Sequence, residues 1–202
     1  MSQRLAEPRA QTAFLLARHR IDLVLDVGAN VGQYALGLRG AGYGGRIVSF
    51  EPQAAAHAAL RQAAGADPLW QVAPRCAVGA EAGTIALNIS AASDMSSALP
   101  FTAESAQHFE SDRFVATETV PLFRLDALWS ELVPAGARVF LKSDTQGFDL
   151  AVLTGAGDRL AETAGIQVEA SLHPVYQGQP GYRAVLDFLE PRGFALMQVI
   201  PG

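Results

Sequence analysis

The 202-residue sequence predicts an α/β protein built on a doubly wound, mostly parallel sheet. Three observations lead there. Short apolar runs alternate with helix-like stretches at both ends of the chain. Several runs are continuously apolar, such as LVLDV at Leu23–Val27, IVSF at Ile47–Phe50 and VFL at Val139–Leu141, the habit of parallel strands buried on both faces. A glycine-bearing turn, Gly28 to Gly32, follows the first run and opens a helix. Length agrees, since 202 residues against the ~150 of a typical domain predict one domain, 1–202. A content of 50% hydrophobic and 17% charged residues supports a packed core over a disordered chain.

The elements follow in order. Strands are expected at Leu23–Val27, Arg46–Phe50, Leu69–Ala73, Thr84–Ile89, Val139–Lys142, Ile166–Ala170 and Phe194–Ile200, each bounded by polar or glycine punctuation. Helices are expected at Gln33–Arg39, Gln53–Ala64, Leu150–Ala161 and Tyr182–Pro191. The first runs into Gly40, Gly42, Gly44 and Gly45, good material for a helix stop, and Pro52 precedes the second, where proline is tolerated. The middle, 76–125, carries GTIALNIS and ETVPLF around a serine-rich loop, Ser90–Ser97, and reads as a strand-rich insertion over the sheet edge within the same domain.

Composition excludes several classes. Fifteen Lys plus Arg against twenty Asp plus Glu leave a net charge of −5, which argues against phosphate-driven nucleic-acid binding. One cysteine, Cys76, excludes an internal disulfide and a cysteine-built zinc site. No apolar run approaches the ~20 residues of a membrane span. The start, MSQRLAEPRAQ, lacks a signal-peptide core, so the expectation is a soluble cytoplasmic protein.

The first chemical motif is Asp26-Val27-Gly28-Ala29-Asn30-Val31-Gly32-Gln33-Tyr34. Gly28 and Gly32 let the backbone turn sharply beside a ligand. The dinucleotide fingerprint G-x-G-x-x-G fits poorly, because Asn30 and Gln33 stand at its second and third glycine positions. Asp26 places a carboxylate by the loop, where a pyrophosphate is repelled and a cationic ligand is favoured. Glu51 ends the next strand, where an acid can take both ribose hydroxyls. A nucleoside joined to a cation meets both demands, and S-adenosylmethionine is such a molecule.

LVLDVGANVGQYALGLRGAGYGGRIVSFEP resembles the S-adenosylmethionine-binding half of the FkbM-type methyltransferases. LKSDTQGFDLAVLTGA resembles that family's second signature, and QVEASLHPVYQGQPGYRAVLDFLEPRGF continues in the same style, so the likeness spans roughly Ile21–Val199. It implies a Rossmann-like class I methyltransferase fold and O-methylation of sugars, glycolipids, polyketides or other small hydroxylated molecules. By this resemblance Asp26, Gly28, Asn30 and Gly32 line the methionine end of the cofactor, and Glu51 with Pro52 the ribose. Cys76, Ala77 and Val78 lie near the adenine, with Cys76 itself a packed hydrophobe. Folds of this kind add a last antiparallel strand. The sequence stops at Pro201-Gly202, so the sheet is expected to lack that strand. The apolar edge left at Phe194–Ile200 favours self-association into a homo-oligomer.

The second chemical region is a polar strip. Alternation puts Lys142 and Asp144 on one strand face and Gln167, Glu169 and Ser171 on one face of another. If the strands are parallel neighbours, the two sets face each other at the ligand-binding edge. Methyl transfer to a hydroxyl needs its proton removed. Asp144 is the first choice for that base, beside Lys142, and His173 the second. Glu169, Tyr176 and Gln146 are expected to shape the acceptor pocket, with Gln177 beside them. Ser93, Asp94, Ser96 and Ser97 are read either as a loop that meets sugar hydroxyls or as a solvated loop. Asp144, Asp149 and Glu169 are oxygen ligands of the kind Mg²⁺ accepts, but no compact acidic cluster marks a metal site, so divalent-metal dependence stays open.

Two other classes compete. A nicotinamide-dependent oxidoreductase is disfavoured by Asn30 and Gln33 and by the lack of a Tyr-x-x-x-Lys pair. A non-catalytic cofactor-binding or interaction module on the same fold is separated from an enzyme by turnover against a panel of sugars.

Overall fold

The computed structural model describes residues 8–91, 93–109 and 113–200. Helix α1 (Pro8–Arg18) leads into β1 (Leu23–Val27), α2 (Gln33–Gly40), β2 (Arg46–Phe50), α3 (Ala54–Ala64) and β3 (Trp70–Val72). The middle contributes β4 (Ala77–Val78), β5 (Gly83–Ser90), α4 (Ala103–His108) and β6 (Phe114–Phe123). The chain closes with α5 (Leu125–Leu132), β7 (Val139–Ser143), α6 (Asp149–Ala156), β8 (Thr163–Val168) and α7 (Tyr182–Leu189).

β1, β2, β3, β7 and β8 form a five-stranded, all-parallel sheet in the order β3-β2-β1-β7-β8. The order reverses at β1, which is where a doubly wound sheet opens a crevice at its carboxyl ends. Alternation along β1 divides two cores. Leu23, Leu25 and Val27 pack with Leu125, Trp129, Val152, Leu153 and Val185 of α5, α6 and α7 on one face. Val24 packs on the other with Leu16, Tyr34, Leu38 and Leu60 of α1, α2 and α3. All five β1 residues are buried, as the unbroken LVLDV run requires.

The strand-rich middle forms a separate three-stranded sheet in the order β4-β6-β5. β5 and β6 run antiparallel from Gly83↔Leu122 to Ser90↔Phe114, with an irregularity at Ile89/Ser90. The β4–β5 turn meets α6 so closely that a Cβ on Gly155 would lie 2.0 Å from the Gly79 carbonyl oxygen, so only glycine fits. The segment between β5 and β6 reaches the rim of the large sheet. Phe101 bridges Tyr176 through the backbone, and its ring stacks on Phe114 at 4.4 Å and on Tyr176 at 5.2 Å.

Several expectations shift. The third strand shortens to Trp70–Val72, and the Ile166–Ala170 strand lies earlier, at Thr163–Val168. The helix expected to Ala161 stops at Ala156, because Gly157 takes φ +53, and continues as a 3-10 stretch to Glu162. α1, α4 and α5 are not among the expected helices, being short and without a sustained apolar period. Phe194–Ile200 is not a strand. Past Gly193 only Phe194 packs on the core, while Leu196, Met197 and Val199 are 60%, 75% and 75% exposed. Gln198 Nε2 donates to Gln11 Oε1 on α1 at 2.6 Å. Without a partner ladder the apolar run has nothing to order it as a strand, and β8 is the sheet's edge among the described residues. No helix among the described residues is long and apolar enough to cross a membrane.

Candidate functional site

Register across the large sheet builds the site in two levels. Ser49, Asp26, Lys142 and Gln167 are direct partners on β2, β1, β7 and β8, so they form one row across four strands. Two residues further along, at the tips of the same strands, stand Glu51, Gly28, Asp144 and Glu169. The ladder continues this far: Gly28 N–H donates to Phe50 O at 3.1 Å, Asp144 N–H to Val27 O at 3.1 Å and Glu169 N–H to Ser143 O at 3.0 Å. The expected juxtaposition of Lys142 and Asp144 with Gln167 and Glu169 is therefore present.

The lower row is closed. Asp26 is 0% exposed, accepts from Ser49 Oγ at 3.2 Å and lies 3.0 Å from Lys142 Nζ. Trp70 Nε1 donates to Ser49 Oγ at 3.0 Å, and Tyr34 Oη donates to Gln167 Oε1 at 2.9 Å. Burial, helped by Asp26, raises the Tyr34 phenol above its ordinary range, so it stays a donor. Lys142, read from the sequence as serving the chemical step, is 4% exposed. Its ammonium donates to Gly28 O at 2.8 Å and lies 5.3 Å over the Tyr34 ring. Burial alone would lower its protonation range, but Asp26 and Asp144 outweigh it and raise the range, so the ammonium stays charged. A buried charge pair is costly to break. Lys142 thus braces the glycine loop from beneath, and Asp26 already has its counter-charge inside the chain.

The upper row opens to solvent. At the β1–β2 end, Gly28 and Asn30 take φ +75 and +47, turning the loop toward the β2 tip, where the N–H groups of Gly28 and Ala29 both donate to Phe50 O. Glu51, 7% exposed, accepts from Asn30 N–H at 2.8 Å through Oε2 and from Gln53 N–H at 2.8 Å through Oε1. Each oxygen keeps a lone pair for a further donor. Burial pushes its carboxyl up to about 7, against the pull of those two N–H groups. Gly28 is needed where two loops cross, since a Cβ there would lie 1.8 Å from Asp144 O. Gly32 starts α2 at φ +94 with its missing Cβ against Trp70, a packing role.

Beside this loop lies an apolar cleft lined by Phe50, Pro52, Cys76, Ala77, Val78 and Phe148. Burial pushes the Cys76 thiol up to about 11, so it packs as a neutral side chain. Two buried oxygens in the loops after β1 and β2 have no hydrogen-bond partner: Asn30 Oδ1 and Gln53 Oε1. Orphaned buried acceptors call for a ligand's donors. An apolar slot for a base, an acid with spare lone pairs and orphaned oxygens nearby fit a nucleoside-bearing cofactor such as S-adenosylmethionine. Gln53 and Phe148 were not singled out in the sequence. A buried glutamine just after Pro52 is the signal that points to the first.

At the other end, Asp144 has a side chain 43% exposed, with Oδ2 3.6 Å from Lys142 Nζ. Gln146 Nε2 donates to Asp144 Oδ1 at 3.1 Å and to Glu169 Oε2 at 3.0 Å. Glu169 is open to solvent on one side, yet partial burial, then Asp144 and Asp149, push its carboxyl up to about 8. Asp149 is buried behind them, accepting from Ser143 Oγ at 2.6 Å and Thr145 N–H at 3.0 Å. Tyr176, 1% exposed, places Oη 3.0 Å from Gln146 Oε1. His173 is exposed and makes no hydrogen bond or ion pair with the described residues, so the structure does not bring it to Asp144. Of the serine-rich loop, Ser97 donates to Gln146 O at 2.6 Å and Ser96 Oγ accepts from Ser90 N–H at 3.0 Å, both inward uses. Residue 92 of that loop and the side chain of Ser93 lie outside what is described. Among the described residues no group of three or more His, Cys, Asp or Glu side chains has metal-holding geometry.

No curated protein sequence matches the chain. A family model described as the methyltransferase FkbM domain matches residues 26–196. That span begins at Asp26 in the closed row and takes in the crevice, both sets of strand tips and α7, so the chain belongs to the FkbM methyltransferase family.

Proposed function

We propose that the protein is an S-adenosylmethionine-dependent O-methyltransferase whose acceptor is a hydroxyl on a sugar, glycolipid or other small molecule. The observation that supports it best is Glu51, buried at the β2 tip, held by two backbone N–H groups and still able to accept from ribose hydroxyls. Asn30 and Gln53 would meet the polar parts of the cofactor, and Pro52, Ala77 and Val78 its base. When bound, S-adenosylmethionine supplies an electrophilic methyl group on a sulfonium.

The chain's own residues supply orientation and a proton acceptor. Asp144 stands at the open rim, one strand from the glycine loop, where its carboxylate takes the proton of the acceptor hydroxyl. Lys142, 3.6 Å away, sets an ammonium beside Asp144 and fixes the loop through Gly28 O. The Phe101–Tyr176 bridge ties the β5–β6 segment to the 171–180 loop beside this rim, and the acceptor would enter past it.

Calorimetric titration with S-adenosylmethionine tests the reading. The wild-type chain binds, and Glu51→Ala weakens binding by about 1–3 kcal/mol, the range for hydrogen bonds to a charged group. Equal affinity in the two proteins would remove Glu51 from the cofactor site. A radiolabelled methyl group then reports turnover against a panel of hydroxylated acceptors.

A further inference from the structure

Gln146 occupies a backbone conformation that a non-glycine residue adopts at a cost, φ +53, directly before Gly147 at φ +92. What holds it there is a convergence of two segments distant in sequence with its own neighbour Asp144. Its carbonyl accepts from Ser97 Oγ at 2.6 Å, out of the β5–β6 segment. Its Oε1 faces Tyr176 Oη at 3.0 Å, out of the loop after β8, and that hydroxyl divides its proton between Oε1 and Met95 O at 3.1 Å. Its Nε2 has two hydrogens and two partners, Asp144 Oδ1 and Glu169 Oε2. In this orientation both Nε2 hydrogens are used on the two carboxyls while Oε1 accepts from Tyr176. Asp144 and Glu169 repel when both are ionised; one proton shared between them relieves that, and the Gln146 amide adds a further bond to each.

We propose that Gln146 is a positioning residue: its amide clamps Asp144 and Glu169 into one carboxyl pair at the rim, and Tyr176 with Ser97 keeps that clamp in place. The inference rests on Asp144 being the proton acceptor of the proposed methyl transfer. Within the pair one member holds a proton and the other accepts one, so the hydroxyl proton arrives at a carboxylate whose orientation is already set. The charged groups facing Glu169 are Asp144, Asp149 and Lys142, on β7, its following turn and the start of α6. The 171–180 loop adds the uncharged Tyr176 on the far side of Gln146.

The test reads Glu169 directly, with no acceptor needed. Carbon-13 NMR of carboxyl-labelled protein follows its titration in the wild type and in Gln146→Met, which keeps length and bulk but has no donor. The wild-type midpoint is expected at about 8. In Gln146→Met the pair separates, Glu169 enters solvent, and its midpoint falls by at least one pH unit toward ~4.3. A midpoint that stays or rises in the variant would overturn the clamp, as would an ordinary midpoint in the wild type. If Gln146→Met does not fold, Tyr176→Phe leaves Gln146 in place and loosens it; a fall of the same sign supports the clamp, and an unchanged midpoint overturns it. Calorimetry with S-adenosylmethionine on the same samples separates the two readings. A wild type that fails to bind, with a midpoint that still falls, sinks the cofactor assignment and leaves the clamp standing.

Discussion

The two ends of the crevice are built by different means. At the β1–β2 end every holding bond has a backbone atom on one side: two N–H groups donate to Glu51, and the Gly28 carbonyl accepts from the Lys142 ammonium. At the β7–β8 end they are held by side chains that meet other side chains, Asp144 and Glu169 on Gln146, and Gln146 on Tyr176. The first end is buried and the second is open. Groups tied to backbone atoms are preorganised by the fold itself. Groups held side chain to side chain depend on separate loops meeting, so single substitutions can reset them more easily.

Substitutions can break that division. The largest expected effect is at the open end. Asp144→Asn keeps shape and removes the proposed base, so turnover of an accepted hydroxyl compound should fall by ~10²–10⁴-fold, while the melting temperature stays near wild type. A variant with full turnover would show that another group takes the proton. The closed row predicts the opposite signature for Lys142→Met. It strands the Asp26 carboxylate at 0% exposure, and breaking a buried pair this way destabilises by about 3–5 kcal/mol. Denaturant unfolding reads it, and an unchanged midpoint would mean that Lys142 belongs with the chemistry, not the brace.

A smaller, pH-dependent effect sharpens the same contrast. Glu51 titrates near 7 in the folded chain against an ordinary 4.5. A folded pKa above the unfolded one means stability that is whole below ~4.5 and lost as pH rises to about 7, because the unfolded chain ionises first. Stability should therefore decline across that window, by on the order of 2–3 kcal/mol from Glu51. Glu169 extends the decline toward pH 8 with a smaller amplitude, since water reaches it. Glu51→Gln should flatten the first part of the slope. A stability profile that is flat from pH 5 to 7 in the wild type would mean Glu51 is solvated.

Much of the closed end was legible in the sequence. LVLDV announced a strand buried on both faces, and GANVG a sharp turn into a helix. Period-two alternation placed Lys142 and Asp144 opposite Gln167 and Glu169 before any coordinates. What alternation could not supply was depth. Asp26 was expected at the mouth of the loop and lies beneath it, because the loop turns toward the β2 tip and encloses the level below. Phe194–Ile200 is strand-like in composition and irregular in the structure, because a strand is stabilised by a neighbour and composition does not say whether one is there.

Local sequence thus determined the parallel sheet, the glycine turn and which residues share a face, because these follow from steric and periodic rules acting over a few residues. Only the tertiary structure decided that Lys142 is a brace, that the β5–β6 segment and the loop after β8 converge on Gln146, and that one amide joins Asp144 to Glu169. Those contacts link positions 49 and 30 residues apart for Ser97 and Tyr176. No periodicity spans such distances; packing of the two sheets brings the partners together, and burial then sets their charge.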